Sequence, residues 1–494
     1  MADVEMLMPM GFDTEWKSQQ HTKVRMDMAE KMTFALYFGN RGFFPESLIA
    51  SARKEIAAKL RKLGYGVLML DAAATRNGAI ETSEEGRVYA KFLEENRGKY
   101  QGVILSLPNF GDENGAIAAL RDCGVPIYIQ AYPDTFDKMG FESRRDAFCG
   151  KFSVMDVFYQ YGLPYTVFPP QTLHPSSPKF DEQIGDFAAV CRVANGMKRF
   201  TVGAIGARTS PFKTVRFDEL TLQKYGITTE TNDLAEVVLR VNNMKDTTAA
   251  CKAKAKRLKA YTDFSGVPAK NFSAMVRLSV VLDEIIAENG LDALGLRCWL
   301  ELEKSLGVSP CVLLSELNDR GFPAACELDV CNAVAMRALN LATEKTPTCL
   351  DWNNNYGDDD DKCILFHCGP VPQSLMTAKG KVIDHPMFVK SLGAGCSYGC
   401  NVGRISPMPF SFASATTQDG KLRFYLGEGE FTNDPIPAEF FGCAGVAHIP
   451  DLQQKLYKMA YAGYRHHVSV APGRVAVALR EAFTRYLKYD ITEL

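Results

Sequence analysis

The chain has 494 residues, 46% hydrophobic and 23% charged, with 39 Gly and 24 Pro scattered along it. That length predicts two to four domains at roughly 150 residues each, and that balance excludes a disordered, collagen-like or coiled-coil protein. With 56 Lys and Arg against 58 Asp and Glu the formal net charge is −2, so no strong field draws the chain to nucleic acid or an anionic membrane, and neither is expected as a partner. The start, Met1-Ala2-Asp3-Val4-Glu5-Met6, carries acids where a signal peptide needs a basic region and an apolar run. The most apolar stretches, such as 278–287, are short and broken by charge, so no bilayer span is expected. Fourteen Cys, none in Cys-x-x-Cys spacing, read as reduced thiols in a cytoplasmic protein.

Residues 1–30 are Met-rich and polar and read as an arm or partner-contacting extension. A strand–helix rhythm follows. Strands are predicted at 33–38, 67–70, 102–107 and 126–131, and helices at 46–63, 84–95 and 115–122. Short apolar runs separated by amphipathic helices predict a parallel sheet covered on both faces. This first α/β domain, 1–175, closes at the Pro-rich segment 168–178. A second α/β domain over 176–350 has strands at 200–205, 294–300 and 324–328. Its helices fall at 217–225, 234–243, 252–260, 269–289 and 330–341, with a buried segment at 311–314. From 351 to 494 the texture turns β-rich. Segments 410–416 and 422–426 flank Gln418-Asp419-Gly420-Lys421, an Asp-Gly hairpin signal, and 452–462 and 475–487 read as closing helices. The expected architecture is two parallel-sheet α/β domains followed by a β-rich, barrel-like C-terminal domain.

Familiar nucleotide motifs are missing. No Gly-x-Gly-x-x-Gly follows the early strands, and no Gly-x4-Gly-Lys-Ser/Thr occurs. Gly395-Cys396-Ser397-Tyr398-Gly399 matches a nucleophile elbow by spacing, but its flanks are β-rich and turn-like, so it reads as a chance match.

The informative stretch is Glu327-Leu328-Asp329-Val330-Cys331-Asn332-Ala333-Val334-Ala335-Met336. Glu327 ends a short strand, a helix follows, and 348–350 reads as the next strand, ending in Asp351. In one parallel sheet both carboxylates would lie on the edge where open α/β sheets place ligands. Two converging carboxylates repel unless a cation lies between them or one stays protonated; alternatively each caps a helix or loop. Seven His are present, and His466-His467 opens what reads as a strand running to Gly473. Strand alternation predicts that at most one of these imidazoles faces the site. Two carboxylates with one imidazole and no thiolate suit Mn²⁺ or Mg²⁺ better than zinc.

These residues resemble the L-fucose isomerase/L-arabinose isomerase family, in particular its fucose isomerase-like branch. Glu327 to Met336 resembles the segment supplying the first metal carboxylate, Asp351 matches the second, and His467 to Gly473 resembles the segment carrying the metal histidine. His466 departs from the Asn of fucose isomerases, although a His pair occurs in arabinose isomerases. The resemblance runs in order over most of the chain and is strengthened by Phe366-His367-Cys368-Gly369 after Asp351.

The resemblance implies an aldose–ketose isomerase that works through a cis-enediol and uses Mn²⁺, with Mg²⁺ or Co²⁺ as alternatives. It implies Glu327, Asp351 and His467 as ligands, with Glu327 and Asp351 also the acid/base pair. Arg41, Asn109, Arg208, His367, Trp352 and His466 are candidates for contacting the sugar. It further implies a homo-oligomer whose site lies near a subunit interface. The substrate class is a free sugar, either fucose- or arabinose-like or an anionic hexose such as sulfoquinovose, the last giving sulfofructose. A non-catalytic cytosolic sugar-binding protein and a metal-dependent aldolase or epimerase are the competing readings.

Overall fold

The computed structural model describes residues 31–494; the arm expected over 1–30 lies outside them. The first sheet has four parallel strands in the order β2-β1-β3-β4: β1 Thr33–Phe38, β2 Gly66–Met69, β3 Gly102–Leu107 and β4 Ile127–Ala131. β3 and β4 are buried along their whole length, as strands covered on both faces by helices must be. The second sheet repeats this plan as β6-β5-β7-β8, again all parallel: β5 Phe200–Ile205, β6 Ile227–Asn232, β7 Ala293–Leu296 and β8 Ala324–Cys326. In each sheet the strand order reverses beside the first strand, which opens a crevice at the carboxyl edge.

The remaining strands are β9 Thr348–Asn355, β10 Lys362–His367, β11 Lys381–Asp384, β12 Tyr398–Arg404, β13 Met408–Gln418, β14 Lys421–Phe431, β15 Cys443–His448, β16 His467–Pro472 and β17 Asp490–Thr492. Six of them close an antiparallel barrel in the order β15-β10-β9-β16-β13-β14, with β14 returning to β15. The β13–β14 hairpin turns at Asp419 and Gly420, both at positive φ, the backbone a two-residue type I′ turn demands. The two α/β domains and the barrel-like C-terminal domain thus form as the sequence implies.

Some boundaries differ. β9 does not join the second parallel sheet; it lies between β10 and β16 in the barrel. The helix Val330–Thr343 leaves β8 and packs both on its own sheet, against β5, β7 and β8, and on the barrel strands β13 and β16. Three buried residues, Thr348, Cys349 and Leu350, carry no record in sequence of which sheet they will join. The strand expected over 294–300 stops at Leu296, and the buried segment at 311–314 is the first turn of a helix, Cys311–Asp319. One apolar cluster runs from Phe34 through Phe187 and Val334 to Ala413 and Phe424, so it joins both α/β units to the barrel. Among the described residues no helix is long and apolar enough to cross a membrane.

Candidate active site

The carboxyl edge of the second sheet abuts the barrel. From the sheet come Trp299, just past β7, and Glu327, just past β8. From the barrel come Asp351 on β9, His367 at the end of β10 and His467 at the start of β16. β9 and β16 pair so that Asp351 and His467 are direct cross-strand neighbours. Glu327 and Leu328 both take left-handed backbone, φ 61° and 64°, a strained arrangement for non-glycine residues that costs on the order of 1–3 kcal/mol each and concentrates at functional sites. The double left-handed turn lets the strand stop and the helix start while the Glu327 side chain points toward the barrel.

The geometry is close. His467 Nε2 lies 3.0 Å from Glu327 Oε2 and 3.3 Å from Asp351 Oδ1, and His466 Nε2 is 3.6 Å from the same Asp351 oxygen. Donor atoms of Glu327, His367 and His467 all fall within 4.8 Å of one another, as do those of Asp351, His466 and His467. His467 Nε2, His367 Nε2 and Asp351 Oδ1 are buried and lack a partner with hydrogen-bond geometry. Buried polar atoms are rarely left so. Two overlapping carboxylate–imidazole groups that share His467 offer donors of the kind that hold a divalent cation. Both imidazoles of the 466–467 pair approach Asp351, contrary to strict alternation, because β16 begins at His467 and His466 sits in the bend before it.

His467 is held from behind. Its Nδ1 is 2.8 Å from Asp329 Oδ2, so Nδ1–H donates to the carboxylate and Nε2 is presented to the site. Asp329 is fully buried and also accepts from Arg465 at 2.6 Å, from the Asn332 backbone at 3.0 Å and from the Asn332 amide at 2.7 Å. It caps the helix Val330–Thr343 at the same time. The sequence signal for it was the Asp-x-x-Asn start of that helix; nothing local marked Arg465 as its partner.

The electrostatics separate the two carboxylates. Burial alone would raise the Glu327 carboxyl, but His467 beside it holds it below the ordinary carboxylate range. Burial pushes Asp351 up to about 6 despite the pull of His367 and His467. His466 is lowered to about 4 by burial and by the charge of His467. His467 itself is raised, because its bond to Asp329 and the nearby carboxylates of Glu327 and Asp351 outweigh the cost of burying its charge.

A cavity of about 290 Å³ opens over this cluster, lined by Glu327, Asp351 and His367 together with Phe212, Trp299 and Phe388 among others. Its size is at the small end of ligand pockets, roughly 300–1,000 Å³. Trp299 donates from Nε1 to Glu327 Oε1 at 3.1 Å. Phe212 stands edge-on to Trp299, His466 and His467. Neither aromatic was singled out from the sequence, since both follow strands in ordinary loops.

The other sequence candidates lie elsewhere. Trp352 sits in the barrel core, edge-on to Phe412, with Nε1 donating to Tyr425 at 3.0 Å. Arg208 donates to the carbonyls of Thr209 and Ser210, in the loop that leads to Phe212. Arg41 and Asn109 occupy the crevice of the first sheet between β1 and β3. There Asn109 is buried and bonds Asn40, while Arg41 pairs with Glu113 and lies 4.2 Å over Phe110. Asp112 caps the next helix. Ser397 bonds Asp384 and is followed by strand β12, not a helix, so no nucleophile elbow forms.

Paired carboxylates and imidazoles thus meet in an aromatic pocket where an α/β sheet edge faces a barrel rim, an arrangement able to carry acid–base chemistry. Residues 35–198 match the family model described as fucose/sulfoquinovose isomerase, N-terminal domain, and residues 365–494 match that of L-fucose isomerase, C-terminal domain. The chain belongs to this fucose/sulfoquinovose isomerase family of aldose–ketose isomerases. It is 27% identical over 300 residues to a protein named sulfoquinovose isomerase from Clostridium sp. (strain MSTE9), covering 59% of this chain and 64% of that relative's length. Proteins of the same name from Alkalicoccus urumqiensis and Priestia aryabhattai are 21% and 22% identical, each over 79% of this chain and 85% of theirs. Among solved structures, an ABC transporter solute binding protein from Burkholderia multivorans overlays with a TM-score of 0.18 at 10% identity, covering 64% of this chain and 95% of that one.

Proposed function

We propose that the protein is a divalent-metal-dependent isomerase that interconverts an aldose and its ketose through a cis-enediol. The observation that carries this reading is the meeting of Glu327, Asp351 and His467 in one pocket with Nε2 and Oδ1 lacking hydrogen-bond partners. Those three residues would hold the ion. The hard oxygen donors favour Mn²⁺, with Mg²⁺ or Co²⁺ as alternatives. When bound, such an ion supplies Lewis-acid polarisation of the sugar carbonyl and stabilises developing negative charge. Glu327, held ionised by His467, takes the proton from one carbon and returns it to its neighbour. Asp351, with its carboxyl at about 6, exchanges a proton with the adjoining hydroxyls near neutral pH. Trp299, Phe212 and Phe388 exclude water and offer faces to the sugar ring. All fourteen cysteines are free, as suits a cytoplasmic enzyme.

The substrate assigned is a free hexose bearing an anionic substituent, sulfoquinovose, since each relative named above carries that sugar's name; fucose- and arabinose-type sugars are the alternatives. Among the described residues no Lys or Arg lines the pocket, and the cation for the anion is assigned to the Arg208 loop or to a second copy. The crevice around Arg41 suits the latter role. Phe43 beside it, and Phe148 and Phe152 on the helix whose Ser153 bonds the Glu113 that pairs with Arg41, are exposed, an apolar density more typical of an interface than of a free surface. Replacing Phe148 and Phe152 together by Glu is expected to lower the mass in light scattering from an oligomer to a single chain and to raise KM. An unchanged mass argues that this face is not the interface.

The test of the function is a panel of aldoses, including sulfoquinovose, fucose and arabinose, incubated in D₂O with Mn²⁺ or with chelator. Isomerisation labels C2 of the aldose and C1 of the ketose; chelator stops it and Mn²⁺ restores it. A binding protein exchanges nothing, and an aldolase releases fragments. Protons and metal compete for Asp351 and His467. The rise in melting temperature on adding Mn²⁺ should therefore grow as pH passes up through about 6, where Asp351 loses its proton.

A further inference from the structure

One group of side chains in the pocket takes no part in this chemistry. Cys311 opens the helix Cys311–Asp319, Cys368 follows the last residue of β10, and His385 precedes the helix Pro386–Leu392. Their donor atoms all lie within 4.8 Å of one another, and all three residues line the same cavity as Glu327 and Asp351. We propose that Cys311, Cys368 and His385 form a second, soft-metal site that binds Zn²⁺ on the pocket wall beside the carboxylate–imidazole cluster.

The spacing favours a metal over a disulfide. The two sulfurs are 3.5 Å apart. A disulfide needs roughly 2.0 Å, whereas two thiolates on a tetrahedral Zn²⁺ with Zn–S of about 2.3 Å stand roughly 3.8 Å apart. The third donor is prepared as well. His385 is 1% exposed, and its Nδ1 is buried without a hydrogen-bond partner. The ring is fixed by stacking on Phe388 at 4.2 Å and by the edge of Phe441. Behind it lies the buried carboxylate Glu303, held by Ser309 at 2.9 Å through one oxygen and unpartnered at the other, and close enough for its charge to feel His385. A carboxylate behind a ligating imidazole is the usual second layer of a zinc site. Cys326 adds sulfur within interaction range of both Cys311 and Cys368, and lies 3.4 Å from Cys298. Two thiolates with an imidazole select Zn²⁺ over the hard ions expected at Glu327 and Asp351. Binding releases one proton from each thiol and changes no oxidation state. Because His367 Nδ1 is 3.2 Å from Cys368 Sγ, zinc here would sit next to a residue of the first cluster.

The test uses full-length protein, stripped with chelator, kept reduced and titrated anaerobically with Co²⁺. A sulfur-to-cobalt charge-transfer band should rise to one ion per chain and be bleached by Zn²⁺. It should vanish in Cys311→Ser and Cys368→Ser, and persist in Cys298→Ser. It should also persist in Glu327→Gln, which separates this site from the proposed isomerase centre. Should the serine variants fail to fold, alkylation of the native protein decides. With Zn²⁺ at ~100 times its Kd, Cys311 and Cys368 should be shielded ~10²-fold by mass action, while exposed Cys149 stays fully reactive. No thiolate band in the reduced protein, a band that survives loss of either Cys311 or Cys368, or no selective shielding would overturn the proposal.

Discussion

Replacing Glu327 by Gln is expected to lower kcat by at least ~10²-fold, the usual cost of removing a positioned acid–base group, while the fold survives. The amide keeps the size of the side chain and its Oε1, so it can still accept from Trp299 Nε1, and it places no new demand on the left-handed backbone at φ 61°. What it loses is the charge that faces His467 at 3.0 Å and the lone pairs available to carry a proton between carbons. Two measurements separate those losses. Raising Mn²⁺ should recover any part due to weakened metal binding and leave the part due to chemistry. Deuterium wash-in from solvent should fall in step with kcat. An enzyme that turns over at full rate with ordinary Mn²⁺ and still labels its product would remove Glu327 from the proton path, and with it the mechanism proposed above.

Much of this site was legible along the chain because each half of it sits where a pattern ends. Glu327 follows a three-residue apolar strand before a clear helix, Asp351 follows the buried start of β9, which runs on to Asn355, and the His pair opens a β-rich run. Those boundaries are local and follow from propensity and periodicity. The partnership of strands was not legible. β9 could have continued the parallel sheet, and only its cross-strand partner Phe366 and its neighbour His467 show that it belongs to the barrel. The convergence survived that error because the edge of β8 abuts β9 in either arrangement. The residues missed were those whose role exists only in three dimensions. Trp299 and Phe212 lie in loops, Arg465 precedes a strand, and Cys311, Cys368 and His385 come from three separate elements. The reverse holds for Trp352, which adjoins Asp351 in sequence yet points into the barrel core against Phe412.

The second large effect is expected at Asp329, a residue that does not itself line the pocket. Its carboxylate is fully buried between Arg465 and His467. Asp329→Asn isolates its charge, because Asn caps helices as well as Asp does and can still receive one hydrogen bond. The variant leaves the Arg465 guanidinium buried without a counter-charge, which should cost about 3–5 kcal/mol of stability. It should also weaken Mn²⁺ binding ~10–100-fold, the usual effect of losing the group that orients a metal-binding histidine. The pH dependence has a definite sign. Burial disfavours the Asp329 charge, but Arg465 and His467 more than compensate and hold its pKa below the ordinary 3.8. Its stabilisation is therefore fully present above 3.8 and is lost as pH falls below it. The stability gap between wild type and variant should be wide at pH 6 and shrink in acid. His467, raised above its ordinary 6.5 in part by Asp329, adds stability below that value which fades as pH rises, so the gap should also narrow on the alkaline side. A residue that only fills space would lower stability by the same amount at every pH and leave the metal affinity of the folded fraction unchanged. Denaturant titrations across that range, paired with Mn²⁺ binding to the folded variant, decide between the two roles.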